Sequence, residues 1–326
     1  MNKELKIEPS GILGGTNMAW KYVIQQEDGV LAHNICECSA TYLWDSGQIT
    51  NSTANDPVQH RVLHLFILCP YQKLDEAASV EEFKQIFLGC VEGHHHAHEV
   101  GHIIHRDIDE NNLMFVRTSN ADVDKTTNGS VSLNATNTKT IARGILNDFD
   151  LSPEVSEQGN FFFTSARHPR ASPFMASDFI KDQVIESLVT PTYHYRYDLE
   201  SFFYILVWAC TMYTFRPNHA RLKQTPTCLK GWNDLSSTCG VRCMFFYFDG
   251  VVGVQNAVLP HFMSMWKECV LPLYGMFRAA FLSVPSIRSP EYVEYDHATC
   301  NGQITFKTFI EAMGIKPRNL EGIIEE

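Results

Sequence analysis

Apolar residues gather along this chain in a few stretches of distinct period, separated by polar runs. Residues 61–69 form an apolar run of strand length. Pro70 closes it, because proline has no N–H to give a central ladder. Ser79, with Glu82 three residues on, has the form of a capping box. Phe83, Ile86, Phe87, Cys90, Val91 and Ala97 then recur at helical spacing, and Gly101 is placed to end that helix. Residues 1–60 carry no clear period. Gly11, Gly14 and Gly15 make a small cluster there, and residues 45–56 read as a polar loop.

Residues 113–116 read as a short strand. Residues 118–140 are rich in Asn, Thr, Ser and Asp with almost no large apolar side chain, which predicts a surface insertion. Apolar order resumes at Gly144-Ile145-Leu146 and enters Asn147-Asp148-Phe149-Asp150. Residues 151–172 read as a long loop. Residues 199–212 are apolar on nearly every face, the pattern of a helix buried in a large domain. Further helices are expected over 260–282 and 304–313.

Composition narrows the class. With 326 residues, 44% of them hydrophobic and 12% aromatic, the chain can bury a sizeable core. Its net charge of −11 is a poor match for sequence-independent nucleic-acid binding, which needs surplus Lys and Arg, so no nucleic-acid partner is expected. The first ten residues are polar and lack the apolar core of a signal peptide. The longest apolar stretch, 202–212, falls short of the roughly 20 residues that span a bilayer. An intracellular protein, cytoplasmic or nuclear and without a membrane segment, is therefore expected. Of ten cysteines only Cys36 and Cys38 lie close together, which fits reduced thiols better than disulfides.

The chemistry-bearing run is His105-Arg106-Asp107-Ile108-Asp109-Glu110-Asn111-Asn112. Phosphoryl transfer needs a base for the substrate hydroxyl and ligands that hold magnesium on the phosphates. The sequence form that supplies them is His-Arg-Asp, an Asn five residues after the Asp, and Asp-Phe on a later loop. Asp107 and Asn112 have that spacing, and Asp148-Phe149 follows beyond the polar insertion. Singly, each is a common loop residue that bonds local backbone. Their joint spacing points to one site.

At these residues the chain resembles the fungal-type protein kinases. Three stretches carry the resemblance: His105-Arg106-Asp107-Ile108 with Asn112; Asp148-Phe149-Asp150-Leu151; and Tyr195-Arg196-Tyr197-Asp198-Leu199-Glu200-Ser201. Pro173-Phe174-Met175-Ala176 looks like the end of that family's activation segment. The resemblance, over residues 61–315, implies an α+β, protein-kinase-like two-lobe fold with a small β-rich N-lobe and a large, mainly helical C-lobe. Its implied divisions are a reduced N-lobe at 1–68, a hinge at 69–73, a C-lobe at 74–315 and a tail at 316–326.

The resemblance implies ATP and Mg as cofactors and a protein hydroxyl, Ser or Thr, as acceptor. Asp107 is then the catalytic base, while Asn112 and Asp148 hold the metal. Asp198 anchors the backbone of the catalytic loop, with His105, Arg106 and Phe149 as structural support. Cys69 and Gln72 lie beside adenine, and Lys21 is the candidate lysine for the phosphates. Two departures stand out: Asp109 occupies the position where many kinases have Lys, and no Gly-x-Gly-x-x-Gly is present. They keep a second reading open, a pseudokinase that scaffolds partners without chemistry.

His98-Glu99-Val100-Gly101-His102 also matches the zinc-protease pattern His-Glu-x-x-His, which needs both His on one continuous helical face. The plainer reading makes it the end of the helix that leads into His105. The neighbouring His94, His95 and His96 read as a solvated or half-buried helix face.

Overall fold

The computed structural model describes residues 71–119, 140–149, 152, 173–178, 193–216, 219–232, 242, 245–248 and 250–315, with the backbone of 41–44 and 63–66. Strands β1 (Thr41–Trp44) and β2 (Leu63–Phe66) pair antiparallel, with Thr41 opposite Phe66. β2 lies inside the apolar run of 61–69. β1 falls where the sequence shows no strand period.

Helix α1 (Val80–Gly101) starts at Ser79, whose Oγ accepts the Glu82 N–H at 3.1 Å. The Glu82 carboxylate reaches back one residue further than a capping box requires, to the Ala78 N–H at 2.6 Å. Phe83, Ile86, Phe87, Cys90, Val91 and His94 form its buried stripe. Gly101 is the last helical residue, and the left-handed turn falls on His102, at φ 51°. The His102 and Ile103 N–H groups both close on the Ala97 carbonyl.

α1 lies against a three-stranded antiparallel sheet of order β3 (Gln72–Lys73), β4 (Leu113–Ser119), β5 (Thr140–Leu146). The β4–β5 register runs from Leu113 opposite Leu146 to Ser119 opposite Thr140. The expected insertion at 118–140 therefore yields its ends to the strands, because β-branched threonines suit a ladder whatever their polarity. Residues 120–139 lie outside those described. Helix and strand meet where Gly89 faces Gly144. A Cβ on Gly144 would stand 2.0 Å from the Ile86 carbonyl oxygen, so only glycine permits this approach.

Helix α2 (Tyr195–Met212) is buried from Arg196 to its end. Phe202 meets Phe87 of α1 edge-on at 5.7 Å, and Phe203 meets Phe277 at 5.1 Å. Each fully buried aromatic of this kind contributes about 2–3 kcal/mol. A hairpin of β6 (Tyr213–Arg216) and β7 (His219–Arg221) follows directly.

The remaining helices are α3 (Gly250–Gln255), α4 (Met263–Met265), α5 (Leu271–Ser283), α6 (Glu291–Glu294) and α7 (Phe306–Ala312). All but the exposed α6 complete this core. A π-helical segment, Trp266–Val270, joins α4 to α5. Pro272, one residue into α5, lacks the N–H that would continue the α ladder there. The five cysteines among the described residues, Cys90, Cys210, Cys228, Cys269 and Cys300, are free thiols. Burial pushes the Cys90 thiol up to about 12. No described helix is long and apolar enough to cross a membrane.

Candidate active site

The loop 102–112 leaves α1 and is tied at its start to one buried carboxylate. Asp198, in the first turn of α2, is fully buried. It accepts the His105 N–H at 2.9 Å and the Arg106 N–H at 3.1 Å. The Tyr193 hydroxyl donates to it at 2.8 Å and His94 Nε2 at 2.7 Å. Burial raises the carboxyl's pKa, but the His94 hydrogen bond and the charges and donors around it outweigh that, leaving it below the ordinary carboxylate range. These bonds also hold Arg106 at φ 70°, a left-handed backbone that costs a non-glycine residue about 1–2 kcal/mol. The Arg106 guanidinium lies over the Tyr193 ring at 5.5 Å.

His105 is fully buried. Its Nε2–H donates to the Asn147 carbonyl at 2.7 Å, and its Nδ1 accepts the Asp107 N–H at 3.3 Å. A carbonyl can only accept and an amide N–H can only donate, so the imidazole is the neutral Nε2–H tautomer. Its ring rests against Phe149 at 4.4 Å. One side chain thus connects the loop to the strand end that carries Asp148.

Asn112 makes the second connection. Its Nδ2 donates to the Asp107 carbonyl at 2.9 Å and to the Asp107 carboxylate at 3.3 Å. Its own carbonyl accepts the Asn147 N–H at 2.9 Å. Asp148 follows at φ 67°, a left-handed turn at the end of β5. Asp107 and Asn112 are therefore hydrogen-bonded to each other and to Asn147, the residue before Asp148.

With Nδ2 engaged on Asp107, Asn112 has its amide oxygen left to offer, and Asp148 offers a carboxylate. Hard oxygen donors of this kind suit Mg²⁺. Asp109 is turned to local use: its carboxylate caps Asn111, accepting the backbone N–H at 2.9 Å and Nδ2 at 2.7 Å.

Gln72 lies in β3 opposite Phe115, and its side-chain oxygen accepts Arg117 Nη1 at 2.6 Å. Lys21 and Cys69 lie outside the described residues. Beneath the loop, Met175 and Ala176 join Ile104, Tyr193 and Tyr197 in a small apolar cluster. Glu200 of α2 holds this segment by accepting the Ser177 N–H at 2.8 Å. The zinc-protease pattern is broken, because α1 ends between His98 and His102 and the left-handed turn carries His102 off the helical face. His98 bonds Glu99 at 2.9 Å and lies against the Tyr195 ring.

His94 was not legible as part of the site. The His94–His96 run suggests a solvated or half-buried face, yet His94 is fully buried on Asp198. Its phase held the signal: four residues after Cys90 and three after Val91, it continues the buried stripe. Tyr193, just ahead of α2, carried no comparable mark.

A family model described as fungal protein kinase matches residues 16–210. The match begins ahead of residue 61, where the visible motifs start, and takes in residues 16–60 as well. It ends within α2. No curated protein matches the chain.

Proposed function

Because the chain belongs to the fungal protein kinase family, we propose that it transfers the γ-phosphate of Mg-ATP to a Ser or Thr hydroxyl of a protein. The observation that carries this reading is the double attachment of Asn112, to Asp107 on one side and to the residue before Asp148 on the other. Catalysis of phosphoryl transfer is mostly positioning and charge. A base and a metal ligand bonded to each other, and tied to the residue before a second ligand, answer that need.

In this reading Asp107 takes the proton of the acceptor hydroxyl onto its carboxylate as that oxygen bonds the γ-phosphorus and the bond to the bridging oxygen breaks, releasing ADP. Asn112 keeps that carboxylate oriented through Nδ2, and its amide oxygen and the Asp148 carboxylate would hold the metal. Bound Mg²⁺ supplies neutralisation of charge on the transferring phosphoryl group. His105 and Asp198 hold the backbone that presents Asp107. Lys21, Cys69 and Gln72 are proposed for the nucleotide.

Incorporation of radiolabelled phosphate from ATP into generic protein substrates tests the proposal. Asp107→Asn should lower the rate about 10²- to 10⁴-fold, the range for losing a general base. Asp148→Asn should abolish the magnesium dependence together with turnover. Incorporation unchanged in both variants sinks the reading.

Asp109 favours a second reading, a partner-binding pseudokinase, because a carboxylate stands where many kinases hold a cation. It predicts no turnover, with a melting temperature unmoved by Mg-ATP favouring it further and nucleotide binding without turnover leaving it standing. Turnover that Asp107→Ala abolishes rejects it.

A further inference from the structure

Glu110 lies three residues beyond Asp107 and is nine-tenths buried. Its carboxylate accepts the Tyr213 hydroxyl and Nη1 of Arg221. Nε of the same guanidinium donates to Asp75, in the 3₁₀ turn Leu74–Glu76 that follows β3. The guanidinium also lies over the Tyr213 ring at 5.2 Å. Four stretches of chain therefore meet at one cation: the turn after β3, the catalytic loop, the start of β6 and the end of β7. Tyr213 is itself fixed from behind. Its carbonyl bonds His261 at 2.9 Å, and its ring meets Phe83 of α1 edge-on at 6.0 Å.

Such a cluster is a poor way to add stability, since desolvating two carboxylates and a guanidinium offsets most of their attraction, and apolar side chains of equal volume would serve as well. What it supplies is geometry. A guanidinium has a planar fork, and here its two edges serve two carboxylates from different elements. The loop is then held at both ends, by Asp198 at His105–Arg106 and by Arg221 with Tyr213 at Glu110. Asp107 sits between the two attachments.

We infer that Arg221 and Tyr213 are positioning residues for the proposed base: they fix the far end of the catalytic loop through Glu110 and register it against the turn at Asp75. The inference rests on the kinase reading for its kinetic consequence. The mechanical part does not depend on that reading.

The test uses the full chain with Tyr213→Phe, Arg221→Lys and Arg221→Met. Each is read by hydrogen exchange of the loop amides, by urea unfolding, and by kcat and KM in the phosphate-incorporation assay. Tyr213→Phe keeps the ring and removes only the hydroxyl, so it stays informative where Arg221→Met strands two buried carboxylates and fails to fold. The expected result is faster exchange at the Asn111 and Asn112 amides, with His105 and Arg106 still protected. kcat should fall about ten- to a hundredfold with KM for ATP unchanged. Arg221→Lys should recover part of the kcat, since one ammonium reaches one carboxylate better than two.

Unchanged exchange at Asn111 and Asn112 in a folded variant overturns the inference. So does unchanged kcat in a variant whose loop has loosened, and so does loosening spread evenly over the chain, which marks a merely structural role. Absence of turnover in the unsubstituted protein defeats the kinase reading instead, and the exchange result then judges the clamp alone.

Discussion

Replacing Asp198 by alanine removes the acceptor for four donors at once: the His105 and Arg106 amides, His94 Nε2 and the Tyr193 hydroxyl. Counting the two amides alone, each buried donor left without an acceptor costs about 1–3 kcal/mol. Arg106 also loses what offsets its left-handed backbone, worth about 1–2 kcal/mol. Two amides and the Arg106 backbone together give an expected loss of about 3–8 kcal/mol, a large part of the roughly 5–15 kcal/mol available to a domain. Urea unfolding at pH 7 should show the unfolding free energy falling by that amount, read as a lower midpoint with the slope unchanged.

Asp198→Asn should recover about half of the loss. Its amide oxygen can take the place of the oxygen that serves His94 and His105, while its NH₂ donates to the Tyr193 oxygen. The pH dependence has a definite sign. The folded pKa of Asp198 is depressed, so its contribution is present above the unfolded value near pH 4 and lost as pH falls through the folded value. The gap between wild type and Asp198→Ala should therefore hold through neutral pH and close only below about pH 4. A loss under about 1 kcal/mol, or an asparagine variant as weak as the alanine, would refute the reasoning.

Gly144→Ala should be severe, because its Cβ meets the Ile86 carbonyl at 2.0 Å and backbone cannot step aside. A loss of about 3 kcal/mol or more is expected from thermal unfolding, against a milder effect for Gly89→Ala, whose Cβ stands 3.1 Å from the Gly144 nitrogen. Glu200 behaves oppositely to Asp198: burial raises its pKa, so its stabilising share is full at low pH and is lost as pH rises through the folded value. Glu200→Gln should keep the Ser177 bond and gain on wild type as pH rises from about 4 towards 7, by on the order of 1 kcal/mol in urea titrations at several pH values. A steady gap between the two across that range would contradict the sign.

How far the site was legible can be judged residue by residue. Ser79 and the stripe from Phe83 to Val91 place α1, because capping and period are local signals. The all-round apolar character of α2 announces burial for the same reason. Asp107, Asn112 and Asp148 are candidates from spacing alone, and the structure ties the first two to each other and to Asn147. What the sequence could not disclose is contact across distance. Nothing near Arg221 points to Glu110, 111 residues earlier, nor near His94 to Asp198, 104 residues later. Strand lengths were missed at Thr118, Ser119 and Thr140, where pairing extends beyond the apolar residues. Nor does the position of Asp109, where many kinases have Lys, disclose that its carboxylate caps the turn at Asn111.

The near-contact of Gly89 with Gly144 acquires a second meaning once His94 is set beside it. Both lie on α1, five residues or about 7.5 Å apart along its axis. One sets the depth of β5, the strand that leads to Asp148, and the other bonds the Asp198 carboxylate that holds the loop of Asp107. The two halves of the site are suspended from a single rigid rod. A displacement of α1 would therefore reach the segments of Asp107 and Asp148 together.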